Sequence, residues 1–454
     1  MKLYDPSSAE ETKRTALLEG EIPIAVYGLG KMGLPLAAVY ADVTRDVRGV
    51  DVDPEIVETI NGGQSPFDHE PGLDELVEET VADGVLRATT DSESAAQEAA
   101  VHVIIVPTLV TEDSEPDLST VRAVVSDITT GIDAGDLVVV ESTVPPRTCS
   151  DVVAPIIREE SDLDEGDFGV AFCPERTKSG RALEDIRGSY PKVVGGIDAD
   201  STNAAAAIYE ELTDNEVVTV SGATTAEAVK LFEGVYRDVN IALVNELARF
   251  VDETGIDVLE AIDVANDTPY VNLHDPGAGV GGHCIPYYPY FLIEHFETLG
   301  PLMRTAREVN DSMPSFTVDK LLEGFNAANL RIGDATIAVL GVTYYPGIPE
   351  TRHTPAKPIV ERLVGQGADV YAVDPVMEDL SEFEGAIPLT VEGLYDVDLD
   401  AIVLVTAHEV FQEIAWDEFD DLVIIDGRDA IDLDMDRHSL YTIGSGWNQN
   451  ATQS

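Results

Sequence analysis

The stretch Gly279-Val280-Gly281-Gly282-His283-Cys284-Ile285-Pro286 is the part of this chain best equipped for chemistry. Glycines let a backbone approach a ligand closely, and here they leave the Cys284 thiol uncrowded. A thiolate can add to an aldehyde, and the tetrahedral adduct can then give up a hydride. Far upstream, Gly28-Leu29-Gly30-Lys31-Met32-Gly33 follows an apolar run and opens a helical pattern. In such a loop the first glycine makes a tight turn and the second admits a pyrophosphate. The third lets helix pack on strand, and the helix N-terminus offers its free N–H groups to the phosphates. Asp51 ends the next apolar run, 23 residues after Gly28. A carboxylate there accepts hydrogen bonds from ribose hydroxyls and repels a 2′-phosphate, so NAD is expected rather than NADP. Thiol and fingerprint together point to oxidation of a primary alcohol through to the carboxylate.

Lys230 lies within the helical run Ala226–Phe232, in a chain with only eight lysines. An ammonium on a mostly apolar helix either snorkels or serves a site, where it would stabilise an oxyanion and lower a thiol pKa. His283 adjoins Cys284, but neighbours in sequence seldom face one another, which suits a structural or substrate-contact role. Cys149 and Cys173 fit buried structural positions. No second cysteine or histidine stands at chelating spacing, so no metal is expected.

These groups need a scaffold, and the pattern supplies an α/β one: two Rossmann-like doubly wound domains joined by a long central helix and a helical middle domain. Residues 1–21 form a lead-in, and 22–220 a dinucleotide-binding domain with buried strands at Ile22–Tyr27, Val47–Val52, Val101–Val106, Leu137–Glu141 and Val170–Phe172. A last strand is expected within Glu211–Val220. Residues 221–330 form the helical centre that carries Cys284. It opens with one continuous helix from Ala223 to Thr254, suited to a domain spine or a homodimer contact. Residues 331–443 repeat the rhythm, with strands at Ala335–Leu340, Asp369–Val373, Ala401–Val405 and Leu422–Ile425. Residues 444–454 read as a polar, disordered tail.

The composition is strongly acidic: 86 Asp and Glu against 27 Lys and Arg leave a net charge of −59. Spread along the chain, that charge predicts a hydrated surface adapted to high salt, and it disfavours nucleic-acid partners. Three scattered cysteines suit a reducing compartment. The N-terminus lacks the apolar core of a signal peptide and no apolar run spans a membrane, so a cytoplasmic protein is expected.

Several motifs in order resemble the UDP-glucose/GDP-mannose dehydrogenase family over residues 22–443. They are the fingerprint, Glu141-Ser142-Thr143-Val144-Pro145-Pro146, Cys173-Pro174-Glu175-Arg176, Lys230 with Tyr236-Arg237-Asp238-Val239-Asn240, Gly281-Gly282-His283-Cys284, and Arg352. Within the family, Gly-Gly-His-Cys-Ile, Pro-Glu-Arg and Arg-Asp-Val-Asn resemble the branch acting on UDP-N-acetylhexosamines. The resemblance implies an NAD domain, a helical dimer-forming centre and a UDP-binding C-terminal domain. It implies Cys284 as nucleophile, Lys230 as oxyanion stabiliser, and Glu175 and Thr143 as helpers in thioester hydrolysis. Lys31, Met32, Thr108 and Thr143 would join the glycines and Asp51 around NAD. Arg176, Lys230, Arg237, Asn240, Gly281, His283 and Arg352 would face the nucleotide sugar. The implied activity is a four-electron oxidation at C6 of UDP-N-acetyl-D-mannosamine, with UDP-N-acetylglucosamine or UDP-glucose as alternatives, in polysaccharide biosynthesis.

The chain departs from the family pattern at three positions. Gly234 stands where the family usually has Asn, Tyr288 where it has Asp, and Tyr345 where Lys often stands. The first two leave water activation open between Asn240 and Glu175. A two-electron 3-hydroxyacid-type dehydrogenase would also carry a fingerprint and a helix-borne lysine, but needs neither the thiol nor a second α/β unit. A non-catalytic binding protein on the same scaffold is the third reading.

Overall fold

The computed structural model describes every residue except 6, 68–69, 112–114, 179, 297–298, 434–436 and 449–454. The chain forms two compact units, Met1–Glu233 with Tyr290–Thr298, and Gly234–Pro289 with Leu299–Ser454.

In the first unit the strands are β1 (Ile24–Tyr27), β2 (Val47–Val50), β3 (Leu86–Thr89), β4 (Val101–Ile104), the two-residue pair β5 (Leu109–Val110) and β6 (Pro116–Asp117), β7 (Leu137–Val140), β8 (Gly169–Phe172), β9 (Lys192–Gly196) and β10 (Val217–Thr219). Eight of them form one sheet in the order β10-β9-β8-β7-β4-β1-β2-β3. All neighbours run parallel except β8 and β9. β1, β4, β7 and β8 are buried along their whole length, because helices cover both faces of a parallel sheet. Their mainly apolar runs, interrupted in β4 only by the buried His102, are why the sequence pattern reveals them. β3 and β9 escape it: Leu86-Arg87-Ala88-Thr89 lies at the sheet edge, and β9 opens with lysine and closes on two glycines. Order reverses between β1 and β4, so the loops after those strands flank the crevice where such sheets take ligands.

The lead-in joins this core. Its helix, Glu10–Leu18, buries Ala16 and Leu17, and Tyr4 is buried with its hydroxyl 2.9 Å from Asp198.

The second unit contains β11 (Thr336–Leu340), β12 (Asp369–Val373), β13 (Ile387–Leu389), β14 (Ala401–Leu404), β15 (Val423–Asp426), β16 (Ser439–Thr442) and β17 (Gly446–Trp447), ordered β13-β12-β11-β14-β15-β16-β17. Pairing is parallel up to β16, and β17 folds back antiparallel. Residues 444–448 therefore do not form the disordered tail expected from their polarity. Gly444 and Gly446 take positive φ to make the turn, and Trp447 packs 5.1 Å from the Tyr441 ring. Residues 449–454 lie outside the described residues.

The long helix is shorter than its pattern suggests. It runs Ala223–Ala248, and a separate turn of helix covers Val251–Thr254. Between them Arg249 and Phe250 donate to the carbonyls of Glu246 and Leu247, three residues back, and this tighter bonding ends the α-helix.

Candidate active site

Each fingerprint glycine has a separate physical reason. Gly28 has φ +98, and a Cβ there would lie 2.4 Å from the Ile105 carbonyl at the end of β4. A Cβ on Gly33 would lie 1.9 Å from the Gly28 carbonyl, so only glycine lets the Gly33–Thr44 helix start so close to β1. A Cβ on Gly30 would meet nothing within 4 Å, which leaves open space on the side where a pyrophosphate would approach. Met32 caps the helix without a side-chain hydrogen bond, and no acidic residue sits in its first turn, so its positive end suits phosphate. Asp51 accepts from the Leu29 amide at 2.7 Å and the Asp53 amide at 3.0 Å, which ties the end of β2 to the fingerprint loop. Thr108 donates to the Thr143 carbonyl, and Ser142 Oγ bridges the N–H and carbonyl of Val106. The segments after β4 and β7 are thereby fastened together beside the fingerprint crevice.

Two of the catalytic candidates of the first unit, Glu175 and Lys230, lie side by side, and Glu175 is 8% exposed. Lys230 Nζ lies 3.3 Å from its Oε2, and the Thr177 amide donates to Oε1. Burial opposes the Glu175 charge, but Lys230, Thr177 and Lys192 outweigh it and hold the carboxyl below its usual range. Arg176 pairs with Glu233 at 3.0 Å, donates to the Pro191 carbonyl and lies over the Tyr190 ring.

In the second unit the cysteine loop is pinned from three sides. The Gly277 amide donates to Asn245 Oδ1 at 2.9 Å. Arg428, after β15, donates to the Gly279 carbonyl at 3.1 Å, and the Gly282 amide donates to the Arg352 carbonyl at 2.8 Å. Tyr344 closes the fourth side: a Cβ on Gly281 would come within 2.7 Å of it, and one on Gly282, where φ is +91, within 3.0 Å. Cys284 is exposed, whereas Cys149 and Cys173 are buried with thiol pKa values pushed up by burial. The Cys284 carbonyl accepts from the amides of Tyr287 and Tyr288, so a tight turn carries the thiol. His283 and Arg352 both reach Glu350, at 3.6 and 3.0 Å. Arg237 is exposed near His274, whose pKa is pushed down first by burial and then by that guanidinium.

Asn240 is tied to a neighbouring segment. Its Nδ2 donates to the Asn272 carbonyl at 2.6 Å and its Oδ1 accepts from the His274 amide at 2.9 Å, so it staples the 272–274 segment to the long helix. Of the two residues left open for water activation, Glu175 is the one with a lysine partner. The sequence reading does not reach Arg428, Asn245 or Tyr344, whose partners are distant in the chain.

The sequence matches the UDP-glucose/GDP-mannose dehydrogenase family in three consecutive blocks: its NAD binding domain over residues 22–213, its central domain over 224–312 and its UDP binding domain over 338–433. The chain belongs to this family. It is 37% identical to UDP-N-acetyl-D-mannosamine dehydrogenase of Pyrococcus horikoshii, over 90% of this chain and 96% of that protein. It is 38% identical to an NDP-N-acetyl-D-galactosaminuronic acid dehydrogenase of Ralstonia solanacearum, over 89% and 95%. Among solved structures, the UDP-D-ManNAc dehydrogenase of P. horikoshii matches with a TM-score of 0.85 at 35% identity, covering 94% of this chain and all of that one. As a member of this nucleotide-sugar dehydrogenase family the chain uses NAD, and the 3-hydroxyacid and non-catalytic readings give way. Among the described residues no helix is long and apolar enough to cross a membrane.

Proposed function

We propose that this chain oxidises the C6 alcohol of UDP-N-acetyl-D-mannosamine to the uronate. The observation that carries the reading is the exposed Cys284 on a glycine loop pinned on all sides, in a chain with an intact NAD fingerprint. Gly28, Gly30, Gly33 and Asp51, with Lys31, Met32, Thr108 and Thr143, would hold NAD, which would supply two hydride acceptors in succession. In balance, the alcohol, two NAD⁺ and water become the carboxylate, two NADH and three protons. The Cys284 thiolate adds to the C6 aldehyde, and Lys230 steadies the negative oxygen of the adduct. Loss of the second hydride leaves a thioester on Cys284. Glu175, ionised beside Lys230, takes a proton from the attacking water, with Thr143 helping to position that water; the C–S bond then breaks to release acid and thiol. His283, Arg176, Arg237, Gly281 and Arg352 contact the nucleotide sugar in this reading, and the 331–443 domain holds the UDP.

The activity named for the Pyrococcus relative supports the manno substrate, and that of the Ralstonia relative favours a galacto sugar as the second reading. The central helix supports a homodimer, because Phe232, Tyr236 and Leu243 recur at spacings of four and seven along it and are exposed. The acidic composition supports a cytoplasm rich in salt, and the product a place in polysaccharide biosynthesis. A panel of UDP-N-acetylmannosamine, UDP-N-acetylglucosamine, UDP-N-acetylgalactosamine and UDP-glucose, with NADH counted per sugar consumed, tests the assignment. The manno sugar is expected to give the highest kcat/KM with two NADH per sugar. Preference for another sugar, or one NADH per sugar, overturns it.

A further inference from the structure

Behind Glu175 lies a second carboxylate that the mechanism does not use. Glu141, directly after β7, is completely buried. Its Oε1 accepts from Tyr209 Oη at 2.7 Å and from Tyr40 Oη at 3.3 Å. Its Oε2 is buried without a hydrogen-bond partner among the described residues. An ionised carboxylate with one oxygen unsatisfied is costly in such a place, whereas a protonated one is not. Tyr40 and Tyr209 come from the Gly33–Thr44 and Ala199–Leu212 helices, and burial keeps both phenols protonated.

The other groups facing Glu141 are Lys192 at the start of β9 and, after β8, Cys173 and Glu175. Lys192 is only 5% exposed, and its charge acts on Glu141, Cys173 and Glu175 alike. The Glu175 amide lies 3.4 Å from the Glu141 carbonyl, so the two acids are joined through the backbone as well as through space. Burial raises the Glu141 carboxyl to about 7; Lys192 and the phenols pull it down, and Glu175 pushes it up.

We propose that Glu141, clamped by Tyr40 and Tyr209 and steered by Lys192, is a positioning residue that acts through Glu175. Neutral Glu141 leaves the charges of Lys192 and Lys230 to Glu175 and keeps it an ionised, correctly placed base. Ionised Glu141 draws on Lys192 and repels Glu175. No bond to substrate is involved, and the water proton still passes to Glu175 and then to solvent. The inference rests on the reading of Glu175 as the water-activating base.

The test measures kcat against pH for wild type, Glu141→Gln and Lys192→Met, together with the infrared band of protonated carboxyl groups in each. The wild type should show an ionisation near neutrality in kcat and a carboxyl band that titrates with it. Both should vanish in Glu141→Gln, which keeps an acceptor for the two phenols. Both should move up by about one unit or more in Lys192→Met, because an opposite charge has been removed. A wild-type band that does not titrate near neutrality, or a Glu141→Gln profile parallel to wild type, overturns the proposal. Wild-type kcat in Glu175→Gln would instead defeat the reading of Glu175 and leave the infrared result standing.

Discussion

Gly234 and Tyr288 occupy adjoining space so closely that a Cβ on the glycine would lie 2.1 Å from Cδ2 of the ring. Glycine inside a helix costs up to about 1 kcal/mol relative to alanine, and here the ring requires it. Tyr288 is buried, and its amide bonds the Cys284 carbonyl, so the pair sets the turn that carries the thiol. The two departures from the family pattern are thus one structural change, in which a ring fills what a side chain on the helix would occupy.

That relationship predicts a strongly non-additive double-mutant cycle. Gly234→Ala should lower Tm and reduce kcat by about a hundredfold through a displaced nucleophile. In a Tyr288→Ala background the same change should be neutral or stabilising. Coupling of about 1–3 kcal/mol between the sites is expected from thermal unfolding. Additive effects would show that the ring does not depend on the glycine.

Asp51 should govern cofactor choice. Asp51→Ser removes the carboxylate that anchors the Leu29 amide and that would repel a 2′-phosphate. The NAD over NADP ratio of kcat/KM should fall by about tenfold or more, roughly 1.4 kcal/mol, with a raised KM for NAD. An unchanged ratio would place the discriminating group elsewhere.

Glu141 gives stability a pH slope of defined sign. Its carboxyl is raised from 4.5 to about 7 in the fold, so between those values the folded chain binds more protons than the unfolded one. Its contribution is complete below the lower value and is lost as pH rises through the upper one. Glu141→Gln removes this loss, so the Tm of the variant should gain on wild type as pH rises from about 5 to about 8. A constant Tm difference across that range would contradict the assignment.

The net charge of −59 makes stability depend on salt. Self-repulsion weakens as the screening length falls from about 10 Å at 0.1 M to about 3 Å at 1 M salt. Tm and activity should rise with KCl into the molar range. A flat or falling profile would remove the halophilic reading.

How much of this was legible in the chain follows from the range of each signal. Gly28, Gly30, Gly33 and Asp51 act within one strand–loop–helix unit, so fixed spacing reveals them. The runs of β1, β4 and β7 are legible because both sheet faces are covered. The staple of Asn240 to 272–274 and the grip of Arg428 on Gly279, 149 residues away, leave no local period to read. Arg428 is therefore out of reach of a local reading of the sequence. The β16–β17 hairpin was hidden because Gly444 and Gly446, read locally, look the same in a turn as in a frayed end.

The covalent role proposed for Cys284 is tested most directly by the product of Cys284→Ala acting on UDP-N-acetyl-D-mannosamine. Chromatography of the reaction should show no uronate, whereas wild type makes one uronate for every two NADH. Uronate formed by the variant at the wild-type rate would contradict a cysteine-bound intermediate.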